Sequence, residues 1–240
     1  MIGALAVVVP ARDEEELLPG CLEALDRALR HPGVPDLPVL VTVVADGCTD
    51  ATARIGRAFG AAVLEVNACN VGAARAAGST HALGAAAQIA PGQGAGGVWL
   101  AHTDADSRIP PDWIARQLAY AVSGWHAVAG TVRVTDWHGH PERTAAAFAR
   151  HYQHDDDPRS AGHPHVHGAN LGVRGDAYRA VGGFQPLAVG EDRALVAALD
   201  TAGYHVGRTV HSPVTTSGRR DPRARGGFGD YLRGLDTLAG

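Results

Sequence analysis

In the N-terminal half of the sequence, short apolar runs alternate with longer stretches of helical spacing. This rhythm narrows the possible folds more than any other feature. Residues 4–9, 39–44, 62–66 and 98–101 are apolar runs of strand length. Such runs suit strands buried on both faces of a sheet. Between them lie Leu17, Leu18, Leu22, Leu25 and Leu29 at helical spacing, a second helical segment ending at Phe59, and an Ala-rich one from Asn70 to about Ala87. The alternation predicts an α/β fold: a mostly parallel central sheet flanked by helices on both faces. Asp13 is expected to cap the first helix, with Glu14, Glu15 and Glu16 in its first turn, and Thr49 or Asp50 to cap the second.

The second half continues less regularly. Helices are expected over 111–123, 145–152, 175–181 and from Glu191 onward, and strands over 127–134, 168–173, 204–208 and 210–216. Residues 155–165 are polar, rich in Asp, Pro, Gly and Ser, and read as a mobile loop. The segment from Ser217 is rich in Arg and Gly and reads as a flexible tail.

Each strand of the first half ends in polar residues: Asp13 and Glu14, then Asp46, then Asn70 and Arg75 beyond the third, then Asp104 and Asp106. A parallel sheet brings such ends to one edge, where open α/β folds bind ligands. Thr103-Asp104-Ala105-Asp106 holds two carboxylates one residue apart. If extended, both face the same way and offer hard oxygens to a divalent cation. Asp46 is placed to accept a hydrogen bond from a base or ribose. Arg75 is placed to pair with a diphosphate through its forked guanidinium.

Charge narrows the partners. Lys and Arg number 21, all of them Arg, against 25 Asp and Glu, for a net charge of −4. A mildly acidic chain is a poor candidate for nucleic-acid binding. The cysteines, at 21, 48 and 69, are odd in number and lack metal-site spacing, which suits a reducing cytosol. The first apolar run lacks a basic lead-in and ends at Pro10, so it reads as a core strand rather than a leader. No apolar stretch approaches the ~20 residues of a membrane span, and a cytoplasmic protein is expected.

The ordered set Val7-Val8-Val9-Pro10-Ala11-Arg12-Asp13-Glu14, Ala45-Asp46-Gly47-Cys48-Thr49-Asp50, Asn70-Val71-Gly72-Ala73-Ala74-Arg75, Thr103-Asp104-Ala105-Asp106, Gly168-Ala169-Asn170, Gly182-Gly183-Phe184 and Gly190-Glu191-Asp192 resembles family 2 glycosyltransferases of the GT-A fold. The resemblance implies one domain over 1–240: a nucleotide-binding half (1–107), an acceptor-binding half (108–216) and the tail (217–240). It implies a nucleoside-diphosphate sugar donor, with a UDP-sugar the first guess, and a small-molecule or lipid-linked acceptor. Pro10, Ala11, Arg12 and Glu14 would wrap the base and Asp46 would read it. Gly72 and Arg75 would lie near base and phosphates. Asp104 would face the ribose, and Asp106 would hold Mg²⁺ or Mn²⁺. Asp192, beside Glu191, would be the general base of an inverting transfer.

Two departures bear on function. The Gln-x-x-Arg-Trp motif of processive members is replaced by Ser217-Gly218-Arg219-Arg220, which favours transfer of one sugar. Arg219 and Arg220 could then close over the diphosphate. The other departure is histidine. His163, His165 and His167 alternate, as metal ligands or as a polar wall of the acceptor pocket, and His211 is a candidate to complete the Asp106 metal shell. Two alternatives stand beside the main reading: a retaining GT-A glucosyltransferase of the glucosyl-phosphoglycerate synthase type, and a nucleotide-sugar-binding protein without activity.

Overall fold

The computed structural model describes residues 2–152 and 163–238. In chain order the strands are β1 (Ala4–Ala11), β2 (Val39–Asp46), β3 (Ala62–Val66), β4 (Val98–His102), β5 (Ser107–Arg108), β6 (Ala127–Val134), β7 (Leu171–Arg174) and β8 (Val206–Thr216). The helices are α1 (Leu18–Leu29), α2 (Thr52–Phe59), α3 (Val71–Ile89), α4 (Trp113–Val122), α5 (Glu142–His151), α6 (Gly175–Ala180), α7 (Glu191–Thr201) and α8 (Phe228–Leu238).

One sheet runs in the order β3-β2-β1-β4-β7-β6-β8-β5. β1, β2, β3 and β4 pair in parallel. β7 runs against both β4 and β6, β8 is parallel to β6, and β5 runs against β8. The mostly parallel sheet expected from the strand–helix rhythm is what the chain forms.

The period of two decides the two cores. In β1, Leu5, Val7 and Val9 face a core filled by Leu18, Leu22 and Leu25 of α1 and Trp113 and Ile114 of α4. Ala4, Ala6 and Val8 face the other, filled by Ala74, Ala82 and Leu83 of α3 and Leu195 and Leu199 of α7. Both faces of β1 are covered, so its run shows no polar alternation. Small residues on α3 let it lie close to the sheet. Two buried indoles find acceptors: Trp99 Nε1–H donates to Gln117 Oε1 at 2.8 Å, and Trp113 Nε1–H to Asn170 Oδ1 at 2.7 Å. The Asn170 amide in turn donates to the carbonyls of Thr131 and Ser212, both at 2.9 Å. This ties β6 and β8 to the turn before β7.

Several local expectations are corrected. Asp13 does not cap α1. It sits in the left-handed region (φ 49°), and α1 begins later, at Leu18, with Pro19 in its first turn. Asp50 Oδ1 accepts the Thr52 N–H at 2.9 Å, one residue ahead of the capping position of α2. Asn70 caps α3 through the Ala73 N–H, 2.9 Å. The two strands expected at 204–208 and 210–216 are one strand, β8. Its register shifts where Gly130 pairs Thr209 but Val132 pairs Val214, a bulge that holds residues 210–213. The tail is not flexible at 228–238: α8 forms there, and Leu232 and Leu235 are buried. Phe228, Leu232 and Leu235 have helical spacing, and Phe228 packs edge-on to Phe148 of α5, ring centroids 6.1 Å apart. Of the loop expected at 155–165, residues 155–162 lie outside the described residues. Among the described residues no helix is long and apolar enough to cross a membrane.

Candidate active site

The C-terminal ends of β1, β2 and β4 lie side by side, and the loops beyond them carry the acidic residues. The loops after β1 and β2 are zipped together. Thr49 N–H donates to Asp13 Oδ1 at 2.7 Å, Glu15 N–H to Asp50 Oδ2 at 2.9 Å, Ala51 N–H to Glu15 Oε2 at 3.0 Å and Glu14 N–H to Thr52 Oγ1 at 2.8 Å. Asp13, Cys48 and Asp50 are the described residues whose ligand atoms gather closely enough to hold a metal. Both carboxylates, however, already accept these N–H groups.

At the centre of the floor is Arg75 of α3, only 2% exposed. Its guanidinium donates to Asp104 Oδ1 and, through Nε, to Glu191 Oε1 at 3.1 Å. The Phe184 ring lies 5.8 Å from its Cζ. Burial opposes the charge on Arg75, but Asp104, Glu191 and Asp192 outweigh it and raise its pKa. Gly168 must be glycine here, because a Cβ would come within 2.4 Å of the guanidinium. Burial raises the Glu191 pKa, against the pull of Arg75. His102, fully buried and edge-on to Phe184, is held neutral by burial and by Arg75.

Asp192 follows Glu191 in the first turn of α7. Its Oδ2 accepts the Gly168 N–H at 2.8 Å and its Oδ1 the Arg193 N–H at 2.7 Å. These two donors orient the carboxylate.

At the rim, β5 pairs with β8 so that Ser107 opposes Thr216. That register brings Asp106 and the segment after Thr216 to the same place. Arg219 uses it: its guanidinium donates to Glu14 at 2.9 and 2.5 Å and lies 3.0 Å from Asp106 Oδ2. Ser107 Oγ is 3.2 Å from Asp106 Oδ1. Burial, with Asp104 and Glu14 nearby, pushes the Asp106 pKa up to about 6 against the pull of Arg219. Glu14, Asp104 and Asp106 offer hard oxygens of the kind Mg²⁺ or Mn²⁺ takes, but here Arg219 and Arg75 are paired to them and they are not among the described groups gathered closely enough to hold a metal.

The expected site residues therefore separate. Glu14, Asp104, Asp106, Arg75, Glu191, Asp192 and Arg219 are joined by the contacts above. Pro10 and Ala11 end β1, buried and paired to β2, and Arg12 is exposed just beyond them. Asp46, expected to read a base, is 4% exposed. It accepts the N–H groups of Ala68, Cys69 and Asn70 at 2.7–2.8 Å, so it shapes the turn into α3. Gly72, expected near the phosphates, lies under the main chain of 185–187; a Cβ there would come within 2.2 Å of the Gln185 carbonyl. Arg75 braces the floor rather than facing a diphosphate.

Arg220 turns away from Arg219, to 3.5 Å from Asp236 of α8. His211, expected in the Asp106 shell, is exposed in the β8 bulge, whereas Ser107 and Arg219 are the side chains bonded to Asp106. His163, His165 and His167 form a ladder of near-parallel rings. His165 stacks on Tyr152 with centroids 4.0 Å apart, and His167 Nε2 lies 2.8 Å from the Tyr152 hydroxyl. Burial and the other two histidines push the His167 pKa down to about 3. Among the described residues the three rings do not converge as metal ligands. The partnership of Glu14 with Arg219 had no signal in the sequence, since 205 residues separate them.

Comparison with solved structures places this architecture in a class. The whole chain superposes on 66% of the crystallised chain of Staphylococcus aureus TarS 1–349 in complex with UDP-GlcNAc, at TM-score 0.64 and 14% identity. Over 86% of its length it superposes on 55% of the mannosyltransferase PcManGT from Pyrobaculum calidifontis, solved in complex with GDP-Man and Mn²⁺, at TM-score 0.53 and 19% identity. The fold is the GT-A glycosyltransferase fold. Residues 6–182 match glycosyl transferase family 2, and the chain belongs to that family. A curated relative, the 4,4'-diaponeurosporenoate glycosyltransferase of Staphylococcus aureus strain USA300, is 38% identical over 63 residues, which are 26% of this chain and 15% of that one. The match thus spans a small part of that relative's length.

Proposed function

We propose that the chain transfers a single sugar from a nucleoside-diphosphate sugar to an acceptor hydroxyl, with inversion and with Mg²⁺ or Mn²⁺. The observation that supports this most is the buried Arg75 bridge. It joins Asp104, at the end of β4, to Glu191, beside Asp192 at the start of α7. The donor-side carboxylates and the candidate base thereby become one rigid unit. Asp192 takes the proton from the acceptor hydroxyl as its oxygen attacks the anomeric carbon and the bond to the diphosphate breaks. An oriented carboxylate within hydrogen-bond reach is what that step needs. Asp106, with Asp104, would hold the divalent cation, which when bound offsets the charge on the leaving diphosphate. Arg219 is a second cation on the same side.

The donor class rests on the nucleotide sugars bound by the TarS and PcManGT structures; a UDP-sugar is the first to try. The acceptor is a small-molecule or lipid-linked hydroxyl. Single transfer fits the absence of Gln-x-x-Arg-Trp from the sequence. The three thiols, all free, fit a cytoplasmic setting.

Asp192→Asn tests the assignment. Transfer should fall at least about 100-fold, with donor affinity by calorimetry near wild type. Wild-type turnover in the variant would remove Asp192 from the mechanism. The product anomer, read by NMR, decides the stereochemistry: inversion supports this reading, and retention replaces it with the retaining one.

A further inference from the structure

The rim carries a cation already. Arg219 NH2 is 2.5 Å from Glu14 Oε1 and 3.0 Å from Asp106 Oδ2, so one guanidinium nitrogen sits between two carboxylates that belong to different loops. Glu14 is 5% exposed and has both oxygens on Arg219. Without Arg219, Glu14 and Asp106 would face one another with no cation between them, which is costly for groups so little hydrated, while Asp104 keeps Arg75. A divalent cation would relieve the same repulsion. It cannot share Asp106 Oδ2 with a guanidinium at 3.0 Å without strong charge repulsion.

Residues 217–227 are neither helix nor strand. They touch the β1–α1 loop through two side chains, Arg219 on Glu14 and Arg223 NH2 on the Asp13 carbonyl at 3.1 Å. The flanking elements are anchored: β8 is paired up to Thr216, and α8 buries Leu232 and Leu235. Within the segment the Gly218 carbonyl lies 2.7 Å from His140 Nε2 and the Gly226 N–H donates to Asp230 Oδ2 at 2.6 Å, so the stretch between these two points is the part that can swing.

We propose that Arg219 is an intramolecular competitor of the divalent cation: it holds the place between Glu14 and Asp106 until the metal displaces it, and Glu14 then shares the cation with Asp106. Cation entry and release of the 217–227 segment are one exchange. This rests on the metal-dependent reading above, to which it adds Glu14 and a built-in gate.

The test is Mn²⁺ binding, followed by loss of the free-ion electron paramagnetic resonance signal, in wild type, Arg219→Gln and Asp106→Asn. Arg219→Gln should bind Mn²⁺ at least tenfold more tightly than wild type, and Asp106→Asn should lose the site. Hydrogen exchange of the wild-type chain supplies a readout free of variant folding: amides of 217–227 should exchange faster once Mn²⁺ is added. If Asp106→Asn loses the site while Arg219→Gln binds no better than wild type, the competition is overturned and the metal site stands. Unchanged exchange at 217–227 on saturation with Mn²⁺ overturns it as well. Equal binding in wild type and Asp106→Asn, or none in any variant, overturns the metal reading and the competition with it.

Discussion

The candidate site contains two arginines that do the same chemistry in opposite settings. Arg75, on the floor, is 2% exposed and bonded to Asp104 and Glu191. Arg219, at the rim, has a side chain 25% exposed and is bonded to Glu14 and Asp106. Each joins two carboxylates from distant parts of the chain. The floor pair is carried by helices packed on the sheet, the rim pair by an irregular segment. The guanidinium of the first bridge is closed to water and that of the second is not, which makes the second the easier cation to displace. A catalytic cleft needs both, a rigid frame that fixes the reacting groups and a counter-charge that can leave.

That contrast can be broken by substitution. The largest effect is expected for Arg75→Met. It leaves Asp104 and Glu191 without their cation, and Glu191 is almost wholly buried. Urea unfolding should show a loss of about 3–5 kcal/mol; a loss below about 1 kcal/mol would deny Arg75 its role as brace. Arg219→Gln should lose about 1–2 kcal/mol, because the amide can still donate to a carboxylate and the Arg219 side chain, 25% exposed, already shares its charge with water. Equal losses in the two variants would erase the distinction between floor and rim.

The smallest effect is on pH dependence. Asp106 has its pKa raised to about 6, above its unfolded value of 3.8. The folded state thus holds that proton more tightly, and the stability so gained is full below about pH 4 and is lost as pH rises through 6. In Asp106→Asn this part of the stability–pH curve should vanish, so the difference between variant and wild type should grow in the variant's favour between pH 4 and 6. A flat difference would mean that Asp106 titrates normally.

What was legible in the sequence follows from how local the signals are. The strands of the first half, the helix that opens at Asn70 and the placement of Asp104 and Asp106 beyond β4 are set by residues near one another in the chain, and the structure has each where the sequence puts it. Asp46 and Gly72 were correctly placed at the sheet edge, but their contacts come from main chain that only the fold brings close. His211 rested on resemblance alone, and the β8 bulge that leaves it exposed has no sequence marker here. Arg219 and Arg220 look equivalent in a run of Arg and Gly, yet the register of β5 on β8 sends one to Asp106 and α8 draws the other to Asp236. The helix at 228–238 was hidden by the same composition, although Phe228, Leu232 and Leu235 carry its spacing.

The central claim is that the acidic groups at this sheet edge form a metal-dependent site for a nucleotide sugar. Thermal unfolding with a panel of nucleoside-diphosphate sugars, with and without Mn²⁺, tests it most directly, since a ligand bound by the folded state alone raises Tm. At least one sugar nucleotide should raise the wild-type Tm only when Mn²⁺ is present, and Asp106→Asn should abolish that rise. No shift with any donor, or an equal shift in Asp106→Asn, would contradict it.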